Sequence, residues 1–351
     1  MLRYFLLSIS LAGALRAAID LRLPTENPHL FAGAPEQFYM YVDRTFEGQT
    51  SQPWEGGTFG FVRNAMRIDN KVILTKFHEG IDIAPVNRDN AGNPLDSISS
   101  IADGQVVHCN TVAAHSNYGK YVVVEHRWDN ASVYSLYAHL ADITCTTGET
   151  VKAGTPLGRM GCSGSGLNRT RAHLHFELAL LLSPHYEEWH KVGVGGTNRH
   201  GLFNGINLAG FDAARFFLAQ KANPDLPISA FIASIPVYFK VTVPAKGTPD
   251  FVTRHPWTCR VIPEAPASWE ISFSATGLPL AFTPSQRAVD APIVTSILPS
   301  SIPQRYLTRN LVTGQGNHAS LTAAGKQLVA LLTDDFPPTT VAKDAAPSPE
   351  S

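Results

Sequence analysis

The run His173-Leu174-His175-Phe176-Glu177-Leu178 alternates polar and apolar side chains at every step. That period of two belongs to a β-strand, in which residues i and i+2 share a face. Both imidazoles then point one way, and Leu174 and Phe176 point into a core. One imidazole can bind a metal while the other touches a water. Upstream, His78-Glu79-Gly80-Ile81-Asp82 sets a histidine and a carboxylate four apart. Gly80 and the β-branched Ile81 and Ile83 favour a turn entering a strand over a helix. A further histidine, His139, sits in Tyr137-Ala138-His139-Leu140. Catalytic zinc takes three protein ligands from His, Asp or Glu and leaves one position open. A His-x-His pair or a lone histidine is a weak signal alone; the combination, in order and with matching local context, is a strong one.

The rest of residues 57–217 reads as short strands between Gly, Asn and Pro turns: Val106-Val107, Tyr121 to Glu125, Val133 to Tyr137 and His173 to Leu178. Residues 87–100, with the turn cluster Asn90 to Pro94, and residues 183–205 read as long surface loops. Asp212 is placed to cap a helix over Ala213 to Lys221, with Phe216 and Phe217 inward. Beyond Pro224 the pattern changes to Pro-punctuated strands, Val237 to Val243 and Trp269 to Ala275. A helical spacing of Leu321, Leu328, Leu331 and Leu332 follows, with Ser320 or Thr322 as cap. Trp257, Trp269 and Phe273 read as core, with a carbohydrate-stacking face as the alternative.

The N-terminus has the form of a secretory signal. Arg3 precedes an uncharged apolar stretch, Tyr4 to Leu15, with Ala12-Gly13-Ala14 as a cleavage pattern. Export makes disulfides available to Cys109, Cys145, Cys162 and Cys259, in any of three full pairings. A formal net charge of −1 with no basic run gives no case for nucleic acid. No second segment is long and apolar enough to span a membrane. The expected organisation is a signal over 1–18, an N-terminal segment over 19–56, a metal-binding domain over 57–222, a mainly β region over 225–336 and a disordered tail over 337–351.

The context of these residues resembles the lysostaphin/LytM-like zinc metallopeptidases, which cleave peptidoglycan peptides. The resemblance is carried by Phe77 to Ala84, Ala102-Asp103-Gly104, Tyr118 to His126, Tyr134 to Leu140, Gly148 to Gly158 and His173 to Glu177, with a fainter match at Gly60 to Arg63. It covers about residues 57–217. It implies a mainly β fold, an antiparallel sheet groove with zinc on its floor, followed here by a C-terminal mainly β extension. It implies one Zn2+ per chain on His78, Asp82 and His175, with His139 and His173 catalytic. The activity implied is hydrolysis of peptidoglycan stem peptides or cross-links by zinc-activated water, in a periplasmic or extracellular setting, with peptidoglycan peptides as the partner.

Cys162 and Arg171, in the loop from Gly161 to Ala172, depart from the family's pattern, and the two long loops look like insertions. The alternatives are a latent or non-catalytic cell-wall regulator that keeps the fold, and a peptidase for another protein. His108, His115, His126, His185, His190 and His200 read as surface or structural, with a loop histidine plugging the open metal position as the alternative.

Overall fold

In a computed structural model, residues 19–261 and 264–337 are described. The expected signal sequence, and all of the expected tail except Pro337, lie outside them.

The main sheet is antiparallel, in the order Thr150–Val151, Gly104–Asn110, Tyr121–Trp128, Ala131–Ala138, Leu174–Leu181, Leu208–Phe211. The short strand Ile81–Ile83 joins it on the same edge of Leu174–Leu181 that Leu208–Phe211 occupies further along. The fold is thus mainly β, as expected. Every expected strand of this half is present, because β-branched and aromatic residues fill a sheet covered on both faces.

Alternation sorts the side chains of Leu174–Leu181. Leu174, Phe176, Leu178 and Leu180 enter the large apolar core. Ala179 and Leu181 face a smaller cluster with Tyr121, Leu136 and Ala138, and His175 and Glu177 share their face by the same period of two. The helix Ala213–Ala222 covers the large-core side. Asp212 caps it by accepting from the Arg215 N–H at 3.0 Å, and Phe217 packs on Phe176. A second antiparallel sheet, Pro279–Ser285, Ser268–Phe273, Phe239–Pro244 and Ile293–Ile297, forms the C-terminal extension. Trp269 and Phe273 are fully buried there, so they are core and not a stacking face. The helix Ala323–Thr333 closes the region, with Thr322 as its cap.

Two expectations are corrected. Residues 87–100 are only half a surface loop. Asp96 is buried and accepts the N–H groups of Val86 and Asn87 at 2.7 and 3.2 Å, and Ser97–Ser99 pairs with Pro156–Met160. Residues 183–205 hold a helix, Tyr186–Gly193, which buries Tyr186, Trp189 and His190. Loop composition concealed it: Pro184 precedes it, Gly follows it, and its two acidic residues sit in the first turn, where the helix dipole favours them.

Candidate metal centre

Sheet register assembles the centre. His175 lies opposite Asp82 on one side and Ala138 on the other, and His139 directly follows Ala138. The hairpin Gly60–Ile68/Lys71–His78 ends on His78, opposite Gly60. The tight turn Glu79-Gly80 then leads into Ile81–Ile83. A Cβ on Gly80 would lie 2.3 Å from the carbonyl oxygen of Phe176, so only glycine lets this strand dock. Three chain segments far apart in sequence therefore deliver their side chains to one point.

At that point His78 Nε2 and His175 Nδ1 each stand 3.0 Å from Asp82 Oδ1, and 3.1 Å from each other. These three side chains form the one group of potential metal ligands found among the described residues. His173 Nε2 is 3.3 Å from the same carboxylate oxygen. The His139 ring packs edge-on against His173, with centroids 5.0 Å apart, and lies 5.7 Å from that of His175. All five residues named from the sequence are thus brought together. His78, Asp82, His173 and His175 are between 2% and 6% exposed.

The donor set fits zinc. Donors about 2.0–2.1 Å from one tetrahedral ion stand roughly 3.3 Å apart, close to the separations seen. The remaining polar atom of each side chain is also fixed. His78 Nδ1 donates to the carbonyl oxygen of Thr58 at 2.8 Å, which leaves Nε2 as the lone-pair atom facing the cluster. Asp82 Oδ2 accepts from Arg63 at 2.5 Å, and Arg63 also donates to the Gly56 carbonyl. His175 Nε2 donates to Glu177 Oε1 at 2.8 Å, and Tyr118 OH donates to the same oxygen at 2.6 Å. Partners of this kind set the tautomer and aim of metal-binding side chains.

The electrostatics call for a cation. Burial opposes charge on His175, but hydrogen bonds to Asp82 and Glu177 outweigh it and raise the imidazole to about 10. An imidazolium between two carboxylates supplies the positive charge that a metal would bring. Burial would raise Asp82, yet His173 and His78 hold it well below the usual carboxylate range. Burial, then His173 and His175, pushes His139 down to about 3, so it is neutral. Its Nδ1 donates to Ser163 O at 2.9 Å, and that of His173 to Arg171 O at 2.6 Å. In both rings Nε2 is left as the basic atom.

Glu177, Tyr118, Arg63 and Thr58 hydrogen-bond the cluster or its partners, and the sequence assigned them no role. Glu177 had a signal, since it shares the strand face of His175 at i+2. Arg63 and the Thr58 carbonyl reach the site through tertiary register; Arg63 lay at the end of the faint match Gly60 to Arg63, and Thr58 had no signal. The loop histidines do not plug the centre. His185 is 3.2 Å from Asp334, His190 packs on Tyr186, and His200 bonds Tyr121 OH at 2.8 Å. Arg171, the departure in the preceding loop, lies over the Tyr41 ring and 3.6 Å from Asp43, so the N-terminal segment braces that loop.

Residues 76–184 match the family model described as Peptidase family M23. A search of curated proteins finds no match. Solved structures similar to the chain include a mutant catalytic domain of the prophage-encoded M23 protein EnpA from Enterococcus faecalis (28% identity, 30% of this chain and 68% of that one, TM-score 0.23). Others are the lysostaphin catalytic domain from Staphylococcus simulans (17%, 55% and 98%, TM-score 0.30) and a zinc-containing peptidase from Vibrio cholerae (24%, 40% and 36%, TM-score 0.25). Scores this low add nothing to the family match. The matched segment holds His78, Asp82, His139, His173 and His175, and over residues 76–184 the chain is a domain of peptidase family M23, the metallopeptidase family of the lysostaphin/LytM-like proteins.

Proposed function

We propose that the protein is an exported zinc-dependent endopeptidase that hydrolyses peptide bonds in peptidoglycan stem peptides or cross-links. The observation that carries this reading is the convergence of His78 Nε2, Asp82 Oδ1 and His175 Nδ1 at 3.0–3.1 Å, each side chain held from behind by its own partner. These three residues hold one zinc ion per chain. When bound, zinc supplies Lewis acidity toward a carbonyl and lowers the pKa of water to about 7. His173 and His139 act beside it. Each carries its proton on Nδ1, locked to a backbone carbonyl, so each presents Nε2 as a proton acceptor toward the reacting atoms. Once protonated, the same atom donates to the leaving amine or to a developing oxyanion. No covalent acyl-enzyme is needed.

We assign the peptidase unit to residues 57–222, preceded by a removable signal over 1–18 and a segment over 19–56. The mainly β region, 225–336, is followed by a tail over 337–351. Arg309 of that region lies over the Phe77 ring, with its guanidinium carbon 4.7 Å from the centroid. It lines a cleft of about 320 Å³ with Glu79, Tyr118 and His200, so the extension reaches the rim of the site.

The test is digestion of purified peptidoglycan by zinc-loaded protein, with and without a chelator, and mass analysis of the fragments. Chelator-sensitive new peptide ends are expected. His175→Ala should lose zinc and activity together, and His173→Ala should lose activity while keeping much of the zinc. Full activity in either variant refutes the assignment. The near-complete burial of the four residues favours a second reading, a latent or non-catalytic cell-wall binding protein. Zinc-loaded protein that binds peptidoglycan and releases nothing supports that reading.

A further inference from the structure

The peptidase reading uses none of the four cysteines, and all are free thiols in this structure. Two of them meet. Cys109 lies near the end of the strand Gly104–Asn110 in the main sheet. Cys145 follows the strand Leu140–Ile143, which belongs to the small sheet with Pro156–Met160 and Ser97–Ser99. Cys109 Sγ is 3.8 Å from the backbone carbonyl oxygen of Cys145, and Cys145 Sγ is 3.6 Å from the Leu157 carbonyl. The Cys109 thiol is therefore directed at the residue that carries its counterpart. Cys259 is engaged elsewhere, with its thiol 3.2 Å from the carbonyl of Val261.

We propose that Cys109 and Cys145 are an oxidisable pair, closing to an intramolecular disulfide when the protein meets a disulfide oxidant. The two residues differ in a way that orders the steps. Cys145 is buried and Cys109 half-buried. A hydrogen bond between the two thiol side chains draws Cys109 down to about 7, while the same interaction and burial raise Cys145. Cys109 is thus the thiolate near neutral pH. It attacks one sulfur of the oxidant R–S–S–R, forming a mixed disulfide and releasing the first RS⁻. Cys145 gives up its proton and attacks the Cys109 sulfur, releasing the second RS⁻. Two thiols lose two electrons and two protons, the oxidant gains them, and two RSH leave.

The bridge would tie the main sheet to the small sheet. It would close the chain from 109 to 145, a loop that includes Tyr118 and His139. Leu140–Ile143 begins directly after His139, whose φ of 65° holds a non-glycine residue in the left-handed region. A cross-link just beyond that strand restrains the segment that carries a strained site residue. Loops of this length stabilise chiefly by restricting the unfolded chain.

The experiment incubates the fully reduced, zinc-loaded protein with oxidised glutathione, then counts thiols and maps linked peptides by mass. The expected result is a fall from four free thiols to two, a loss of two hydrogens in mass and a single cross-link between 109 and 145. A rise in Tm on the order of 5–10 °C should accompany it and reverse on reduction. The Cys162→Ser/Cys259→Ser double variant should behave the same, and Cys109→Ser should lose both the cross-link and the Tm rise. Four thiols remaining, a stable glutathione adduct on Cys109, or a cross-link to Cys162 or Cys259 would each overturn the proposal. Because the double variant keeps only the proposed pair, misfolding of a Cys109 or Cys145 variant cannot obscure the answer.

Discussion

Two groups of histidines sit against the same face of the main sheet, and they have opposite characters. At one end His78, His173 and His175 surround Asp82 at 3.0–3.3 Å. At the other, His108, His115 and His200 gather beside Tyr121, with ring centroids 6.3 and 6.5 Å from that of His200. Among the described residues, the second group has no carboxylate at its centre. His200 is 2.8 Å from Tyr121 OH and 3.3 Å from the His115 carbonyl, and His115 bonds Asn110 Oδ1 at 3.1 Å. Burial, then His200, pushes His108 down to about 4, whereas His175 is raised to about 10. Clustered imidazoles alone do not make a cation site. A shared carboxylate, with ring nitrogens aimed at it from behind, distinguishes the first group.

Removing the carboxylate breaks the comparison most directly. Asp82→Ala leaves Arg63 and three imidazoles facing one another, so bound zinc measured on the purified protein should fall to background, and peptidase activity with it. Retained stoichiometric zinc would show that the carboxylate is not what separates the groups. His139→Ala comes next. It should cost about 10²–10⁴-fold in turnover, the range for a general acid–base residue, with zinc content unchanged. Loss of zinc in that variant would make His139 a ligand.

Acid should expose the neutral histidines. His126 is fully buried, donates from Nδ1 to the Asp103 carbonyl at 2.9 Å and sits 2.7 Å from Ser135 Oγ. Burial lowers it to about 4, and His255, also fully buried, likewise. Both folded values lie below the unfolded one, near 6.5. The unfolded chain therefore takes up protons between pH 6.5 and 4 while the native state does not. The stabilisation is complete above about 6.5 and is lost as pH falls to about 4, up to roughly 3 kcal/mol for each histidine. Denaturant midpoints at pH 7.5, 5.5 and 4.5 measure it. His126→Gln should flatten the slope, and an unchanged slope would refute the assignment.

Glu177→Gln sharpens the comparison from behind the proposed zinc site. Losing the carboxylate on His175 Nε2 should weaken zinc binding by about 10–100-fold, read by competition with a chelating dye. Tyr118→Phe should do less, since Glu177 keeps its bond to His175. Equal zinc affinity in Glu177→Gln and the parent would reduce Glu177 to a packing residue.

The five candidate residues were legible through the resemblance to the lysostaphin/LytM-like family; strand periodicity and short spacing added local support for all but the lone His139. His173 and His175 share a strand, and Gly80 marks the turn between His78 and Asp82. That Asp82 lies opposite His175 is a matter of register, which is set by pairing across 93 residues of separation. Arg63 and the Thr58 carbonyl arrive the same way; the faint match at Gly60 to Arg63 gave Arg63 no role, and the Thr58 carbonyl had no signal. The helix Tyr186–Gly193 was hidden by its flanking Pro and Gly, and its buried Trp189 finds its partner, the Gln327 carbonyl, in the distant C-terminal helix. The Cys109–Cys145 approach joins two different sheets, so no spacing rule could select it from three pairings.

The smallest effect tests the second histidine group itself. In His200→Phe the ring is replaced by one of similar size that cannot bond, and Tyr121 OH keeps only its contact to the Phe203 carbonyl at 3.2 Å. That should cost about 1 kcal/mol of stability, the usual worth of one hydrogen bond. Zinc content should stay at one per chain, since His200 bonds Tyr121 and the His115 backbone, not the cluster around Asp82. If the parent instead binds two zinc ions and His200→Phe binds one, the second group is also a metal site. A shared carboxylate would then be unnecessary, and the contrast drawn between the two ends of the sheet would fail.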